Sequence, residues 1–168
     1  IANGVHVCEL TVNPDDGTIR LENYSIVADV GRIVNPIIVH GQLHGGVTQG
    51  IGQALFEEVI YDPDSGQTLN GSLMDYRLPR AADLPAFNLH FNEVAEADNP
   101  IGAKGAGESA TTGAPAAMLE LPPAGAGGGI RSEPARARLG PAAVREQWFK
   151  KYLVSIIVHG TDPNKKNT

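Results

Sequence analysis

Apolar and polar residues alternate from Val5 to Val12. His6, Cys8, Leu10 and Val12 share one face and Val5, Val7, Glu9 and Thr11 the other, which is the period of a strand. Asn13-Pro14-Asp15-Asp16-Gly17 concentrates turn-forming residues. Thr18 to Val30 then reads as the returning strand of a hairpin. Its apolar phase slips between Ile19/Leu21 and Tyr24/Ile26, which predicts a bulge near Glu22 and Asn23.

The period then changes to that of a helix. Asn35 offers a capping side chain and Pro36 suits the first helical position. Leu43, Val47, Ile51 and Leu55 recur every fourth residue and predict a buried stripe on a helix reaching Glu58. Gly41, Gly45, Gly46, Gly50 and Gly52 fall inside it, and each costs roughly 1 kcal/mol relative to Ala. That cost implies a backbone approached closely by something. On a helical wheel Gln42, Gln49 and Gln53 fall within roughly 40° of one another, beside Gly45 and Gly46. Such amides either face water or read the edge of a heterocycle.

Asp62-Pro63-Asp64-Ser65-Gly66 repeats the turn chemistry within Val59 to Leu69. Strands are expected at Ser72 to Leu78, ended by Pro79, and at Phe87 to Val94, with a loop from Ala81 to Ala86 between them. A second helix is expected from Thr112 or Pro115 toward Leu121, stopped by Pro122-Pro123. Ala124 to Gly140 lacks apolar periodicity and reads as linker. Ala142 to His159 regains helix or strand potential around Trp148, Phe149 and Tyr152, and Asp162 to Thr168 is polar and loose. The pattern gives an α+β fold, with antiparallel strands, one long glycine-rich helix and a second helix. Residues 1–121 form the ordered unit and residues 122–168 an atypical, poorly ordered tail.

With 168 residues the chain is about one domain. A net charge of −6 argues against a nucleic-acid surface. The single cysteine, Cys8, excludes an internal disulfide and suits a reducing, cytoplasmic setting. No stretch has the length of a membrane span. Ile1 opens the chain in the approach to a strand, without an initiator Met, which suggests a piece of a longer polypeptide.

The chemistry concentrates between Asn99 and Gly113. Gly102, Gly105 and Gly107 remove side-chain bulk and permit unusual backbone angles, and Glu108 ends that run. A partly desolvated carboxylate on a bent backbone is what a general base needs. An acid in the first turn of a helix, favoured by the dipole, explains the same residue, and the residues alone leave both open. The glycines are spaced GxxGxG, not GxGxxG, so a dinucleotide fold is disfavoured, and no phosphate-loop motif is present. His40 and His44 stand four residues apart, but on the apolar side and without an HExxH pattern, so packing is preferred to metal binding. Cys8 reads as a small buried hydrophobe. Asp75, Tyr76 and Arg77 on a short strand offer an ion pair or a substrate wall, but an ordinary exposed strand is preferred.

Four stretches together resemble one family. Val27 to Pro36, Gly41 to Leu55, Gly71 to Pro79 and Asn99 to Glu108 are similar, in that order, to the last part of molybdenum hydroxylase large subunits. The nearest resemblance is to the carbon-monoxide dehydrogenase and aldehyde dehydrogenase branch of the xanthine dehydrogenase family, and it runs from Val5 to Ala117. It implies that the fold is part of a molybdopterin-binding domain. Glu108 would be the catalytic glutamate that takes a proton from the metal's hydroxyl as that oxygen attacks an electrophilic carbon. Gln42 would hydrogen-bond the pterin, and Gly105, Ala106 and Gly107 would form the backbone beside the metal. No residue of this chain is expected as a metal ligand.

The resemblance further implies an oxidoreductase acting on an aldehyde, an N-heterocycle or carbon monoxide, with water as oxygen source. A carbon-monoxide-oxidising member adds copper. The expected cofactor is molybdenum-molybdopterin in its cytosine dinucleotide form, with iron-sulfur clusters and FAD in partner subunits. The expected assembly is the rest of the large subunit, a small iron-sulfur subunit and a medium FAD subunit, as a dimer of heterotrimers. The isolated chain is expected to be inactive, since other cofactor-contacting segments are absent from it. The alternative is a non-catalytic binding or assembly fragment, or a decayed gene product. Pro122 to Arg145, rich in Ala, Arg, Gly and Pro, has the composition of GC-rich coding read out of frame, an idea that an intact frame at the locus would overturn.

Overall fold

The computed structural model describes residues 2–12, 19–119 and 151–158. Strands β1 (Asn3–Val12) and β2 (Ile19–Asp29) pair antiparallel along their lengths. Cys8 stands opposite Tyr24 and Leu10 opposite Leu21, so Glu22 is the extra residue of a bulge between them. The bulge explains the phase slip: it turns both Leu21 and Tyr24 onto the face that buries His6, Cys8 and Leu10. The turn expected at Asn13 to Gly17 lies outside the described residues.

Helix α1 (Pro36–Leu55) starts where Asn35 accepts a hydrogen bond from the Ile38 amide at 3.3 Å, with Pro36 in the first turn. Leu43, Val47 and Ile51 are fully buried. The helix ends short of Glu58 because the amides of Phe56 and Glu57 both turn back to the Gly52 carbonyl. Strand β3 (Phe87–Phe91) then lies parallel to β2, as a connection carrying a helix permits. Helix α2 (Ser109–Leu119) follows, and strand β4 (Lys151–Val158) pairs antiparallel with β1. The sheet runs β3-β2-β1-β4 and is therefore mixed rather than wholly antiparallel. Apart from β4, the segments beyond Leu119, including the expected linker and polar tail, lie outside the described residues.

The core joins the inward residues of β1 and β2 to the stripe of α1 and to Ala110, Ala114, Ala117 and Met118 of α2. A β-carbon added at Gly46 would stand 3.0 Å from that of Ala110, and one at Gly50 would stand 2.6 Å from that of Ala114. Gly46 and Gly50 thus let α2 lie directly on α1. Contacts advance in the same direction along both helices, so α1 and α2 run parallel, with the start of α2 beside the middle of α1. This packing also carries α2 through Pro115, which faces Gly50, and starts the helix earlier than expected.

One expected strand is absent. Ser72 to Leu78 forms a turn, because the Ser72 carbonyl accepts from the amides of Asp75 and Tyr76 while its hydroxyl donates to the Asp75 carboxylate. Local bonding by serine and aspartate outcompetes a ladder here. Tyr76 donates to Glu57 at 2.8 Å, Arg77 lies 4.6 Å over the Phe56 ring and Pro79 packs on Gly52. The segment therefore buttresses the C-terminal end of α1.

Candidate cofactor and active site

Two segments meet beyond the parallel ends of β2 and β3. The chain after β2 turns at Gly31 (φ +67°), and the glycine stretch turns at Gly102 (φ +74°). A side chain on Gly31 would collide with the Gly102 carbonyl, so both positions need glycine. The two segments are stitched by Arg32 N–H to Gly102 O at 2.9 Å and Lys104 N–H to Val30 O at 2.8 Å. Asn99 supports the turn by donating to the Ala103 carbonyl at 2.8 Å and accepting from the Ile101 amide at 2.9 Å.

A buried ion pair closes the junction. Lys104 Nζ lies 2.6 Å from Asp29 Oδ2, and both side chains are less than a tenth exposed. Asp29 Oδ1 accepts from the amides of Gly31 (2.9 Å) and Val94 (3.2 Å). Burial alone would raise the Asp29 pKa, but Lys104 and the two amides outweigh it and hold the carboxyl below its usual range. Sequence reasoning missed this pair. The signal was available: an acid inside the apolar run Ile26 to Val30 demands a cation, and Lys104 is the one cation of the glycine stretch.

Past Lys104 the chain is bare. A β-carbon on Gly105 would meet nothing within 4 Å, and one on Gly107 would meet only Gln42 Oε1, at 3.6 Å. Neither glycine has a positive φ. The expectation of unusual angles thus holds for Gly102 and not for Gly105 or Gly107. Ala106 packs partly against the core, and its carbonyl accepts from the Ser109 hydroxyl at 3.0 Å. Glu108 directly precedes α2, and its carbonyl accepts from the Thr112 amide and hydroxyl. The Glu108 side chain is exposed, contrary to the partial desolvation expected of a base, because no described segment covers that side of the loop.

Gln42 is the amide of α1 that reaches this loop. Gln49 lies one turn pair further on, 3.5 Å from the Thr111 hydroxyl, and Gln53 is exposed beyond it. On the α1 surface next to Gln42, Gly41 and Gly45 also have open space where a β-carbon would be. Four glycines around Gln42 and Glu108 therefore have no reason within the described residues to lack side chains. A flat group lying against that backbone would supply one. The histidines belong elsewhere: His44 stacks on Phe87 and His40 packs on Phe91. Among the described residues no cluster of His, Cys, Asp or Glu is arranged to hold a metal ion. No helix among them is long and apolar enough to cross a membrane.

The chain is 41% identical over 116 residues to the gamma subunit of the 6-hydroxypseudooxynicotine dehydrogenase complex of Paenarthrobacter nicotinovorans, covering 68% of this chain and 14% of that one. It is 34% identical over 110 residues to the carbon monoxide dehydrogenase large chain of Afipia carboxidovorans, covering 66% and 14%. Among solved structures, quinoline 2-oxidoreductase from Pseudomonas putida 86 superposes with a TM-score of 0.67 at 42% identity, covering 70% of this chain and 15% of that one. The chain thus spans about one seventh of the length of these relatives. The model of the molybdopterin cofactor-binding domain matches residues 1–85, half of the sequence, and the chain belongs to that family.

Proposed function

We propose that this chain supplies the catalytic base and part of the molybdopterin cradle of a molybdenum-dependent hydroxylase large subunit. The observation that carries the reading is that Gln42, on the second turn of α1, lies against Gly107 in the bare Gly105–Gly107 backbone that leads to Glu108 at the start of α2. In this reading residues 1–121 are the working unit. Gln42 offers both a donor and an acceptor to the pterin edge. Gly105, Ala106 and Gly107 admit the cofactor to main-chain distance. Glu108 accepts a proton at its carboxylate, and segments outside this chain exclude water from it. When bound, molybdenum supplies oxygen transfer from water and accepts the electron pair.

The substrate class is an aldehyde, an N-heterocycle or carbon monoxide, as the range of relatives suggests. The reading extends to a cytosine dinucleotide form of the cofactor, to iron-sulfur and FAD subunits as electron acceptors, and to a dimer of heterotrimers. The lone cysteine supports a cytoplasmic setting. Glu108→Gln in the complete subunit tests the base. Turnover should fall by about 10²–10⁴-fold, the usual contribution of a positioned base, with molybdenum content unchanged. Undiminished turnover removes the assignment.

A further inference from the structure

We propose that the Asp29–Lys104 ion pair is a positioning latch that sets where the Gly105–Glu108 segment stands. The proposal deepens the reading of Glu108 as a base and rests on it for its functional meaning.

Asp29 ties three segments together. Its Oδ1 holds the amides of Gly31 and Val94, and its Oδ2 holds the Lys104 ammonium. The end of β2, the chain after β3 and the glycine stretch therefore share one carboxylate. Lys104 is the last residue of the stretch with a side chain anchored in the core before the bare run begins. On the far side, the Ser109 hydroxyl on the Ala106 carbonyl and the first turn of α2 take over. The four residues from Gly105 to Glu108 run between these anchors, with Ala106 packed partly against the core. On the N-terminal side Gly102 and Ala103 are held by backbone bonds to the segment after β2, whereas Gly105 follows the lysine with little torsional restraint, so the side-chain bond of Lys104 is the last tie to the sheet before the bare run.

A buried ion pair is an indifferent device for stability, since desolvation offsets much of the attraction. Its geometry is what an apolar pair cannot supply. A direct charge-assisted bond of 2.6 Å fixes one atom of the loop relative to the sheet. Reactivity is sensitive to such placement, with a displacement of about 1 Å costing on the order of 10²-fold in rate.

Hydrogen exchange on the full chain tests the latch. Lys104→Met should accelerate exchange of the Arg32, Glu96 and Lys104 amides by about tenfold or more, and that of the β1–β2 ladder by less than about threefold. Lys104→Arg should restore most of the protection. Asp29→Asn keeps the size and the acceptor for Gly31 and Val94, so it carries the same test should Lys104→Met fail to fold. Equal acceleration in loop and ladder, or none in either, overturns the latch. In the complete subunit Lys104→Met should lower kcat on the order of 10²-fold, with KM and molybdenum content held. Loss of molybdenum at an unchanged kcat per bound metal overturns the link to Glu108. The exchange result is independent of Glu108→Gln, so the latch and the cofactor reading fail separately.

Discussion

One helix carries glycines of two kinds. Gly46 and Gly50 of α1 are filled by α2, whose alanines and Pro115 occupy the space of the missing side chains. Gly41 and Gly45, one turn earlier, face open space, as do Gly105 and, but for one amide contact, Gly107. The first pair is explained by packing within the chain. The second set gains nothing from the described fold, Gly41 and Gly45 cost helix stability besides, and all four cluster around Gln42 and the approach to Glu108. A residue kept small without an internal neighbour points to a neighbour from outside. The glycine stretch shows the same division, since Gly102 is held by its φ and its hydrogen bonds whereas Gly105 and Gly107 are not.

The largest expected effect lies on the open side. Loss of 10²–10⁴-fold in turnover with Glu108→Gln is about 3–5 kcal/mol of transition-state stabilisation. Because the carboxylate has no partner among the described residues, the same substitution should leave thermal stability within about 0.5 kcal/mol. A large fall in melting temperature would instead make Glu108 a structural cap and erase the distinction between the two sides.

On the packed side the next effect is a pH dependence. His6 is buried beneath α2, its Nδ1 2.7 Å from the Tyr24 hydroxyl, and Gly113 exists to admit its ring. Burial lowers the His6 pKa from 6.5 to about 4. The unfolded chain therefore binds a proton between about pH 6.5 and pH 4 that the folded chain refuses. Stability is full above the unfolded value and falls as pH drops through that window, by about 3 kcal/mol in all. Denaturant melts at pH 7 and pH 4.5 measure it. In His6→Gln the part of the slope due to this group should vanish, and an unchanged slope would assign it to other groups.

Gly50→Ala sharpens the contrast further. Its β-carbon would stand 2.6 Å from that of Ala114 and 2.8 Å from Pro115 Cδ, so two helices must separate. Overpacking of this kind costs about 1–3 kcal/mol, read as a lower midpoint in denaturant at an unchanged slope.

Much of this was legible in the sequence. The hairpin, its bulge, the capped start of α1 and its buried stripe follow from local period and turn chemistry, which act over a few residues. The parallel placement of β3 was not legible, because strand direction depends on the crossover and not on the residues of the strand. Ser72 to Leu78 misled because Leu73, Met74 and Tyr76 look strand-like, while Ser72 and Asp75 close a turn. At the site, Glu108 and Gln42 stood out by composition and resemblance. Asp29 and Lys104 are 75 residues apart, and only the fold shows that one answers the other.

The smallest effect is the most discriminating. Gly45→Ala adds a β-carbon where nothing lies within 4 Å. Replacing an exposed helical glycine by alanine should stabilise the chain by about 0.5–1 kcal/mol, partly by restricting the unfolded state. Thermal unfolding of the apo protein reads that gain. The same methyl group would stand on the surface assigned to the pterin, so the gain should come with weaker retention of molybdenum during dialysis of the complete subunit. Gly50→Ala loses stability for reasons inside the fold, and Gly45→Ala would lose cofactor while gaining stability. If Gly45→Ala is stabilised and keeps its molybdenum, this part of α1 is plain solvent-facing helix, and the cradle shrinks to Gln42 and the Gly105–Gly107 backbone.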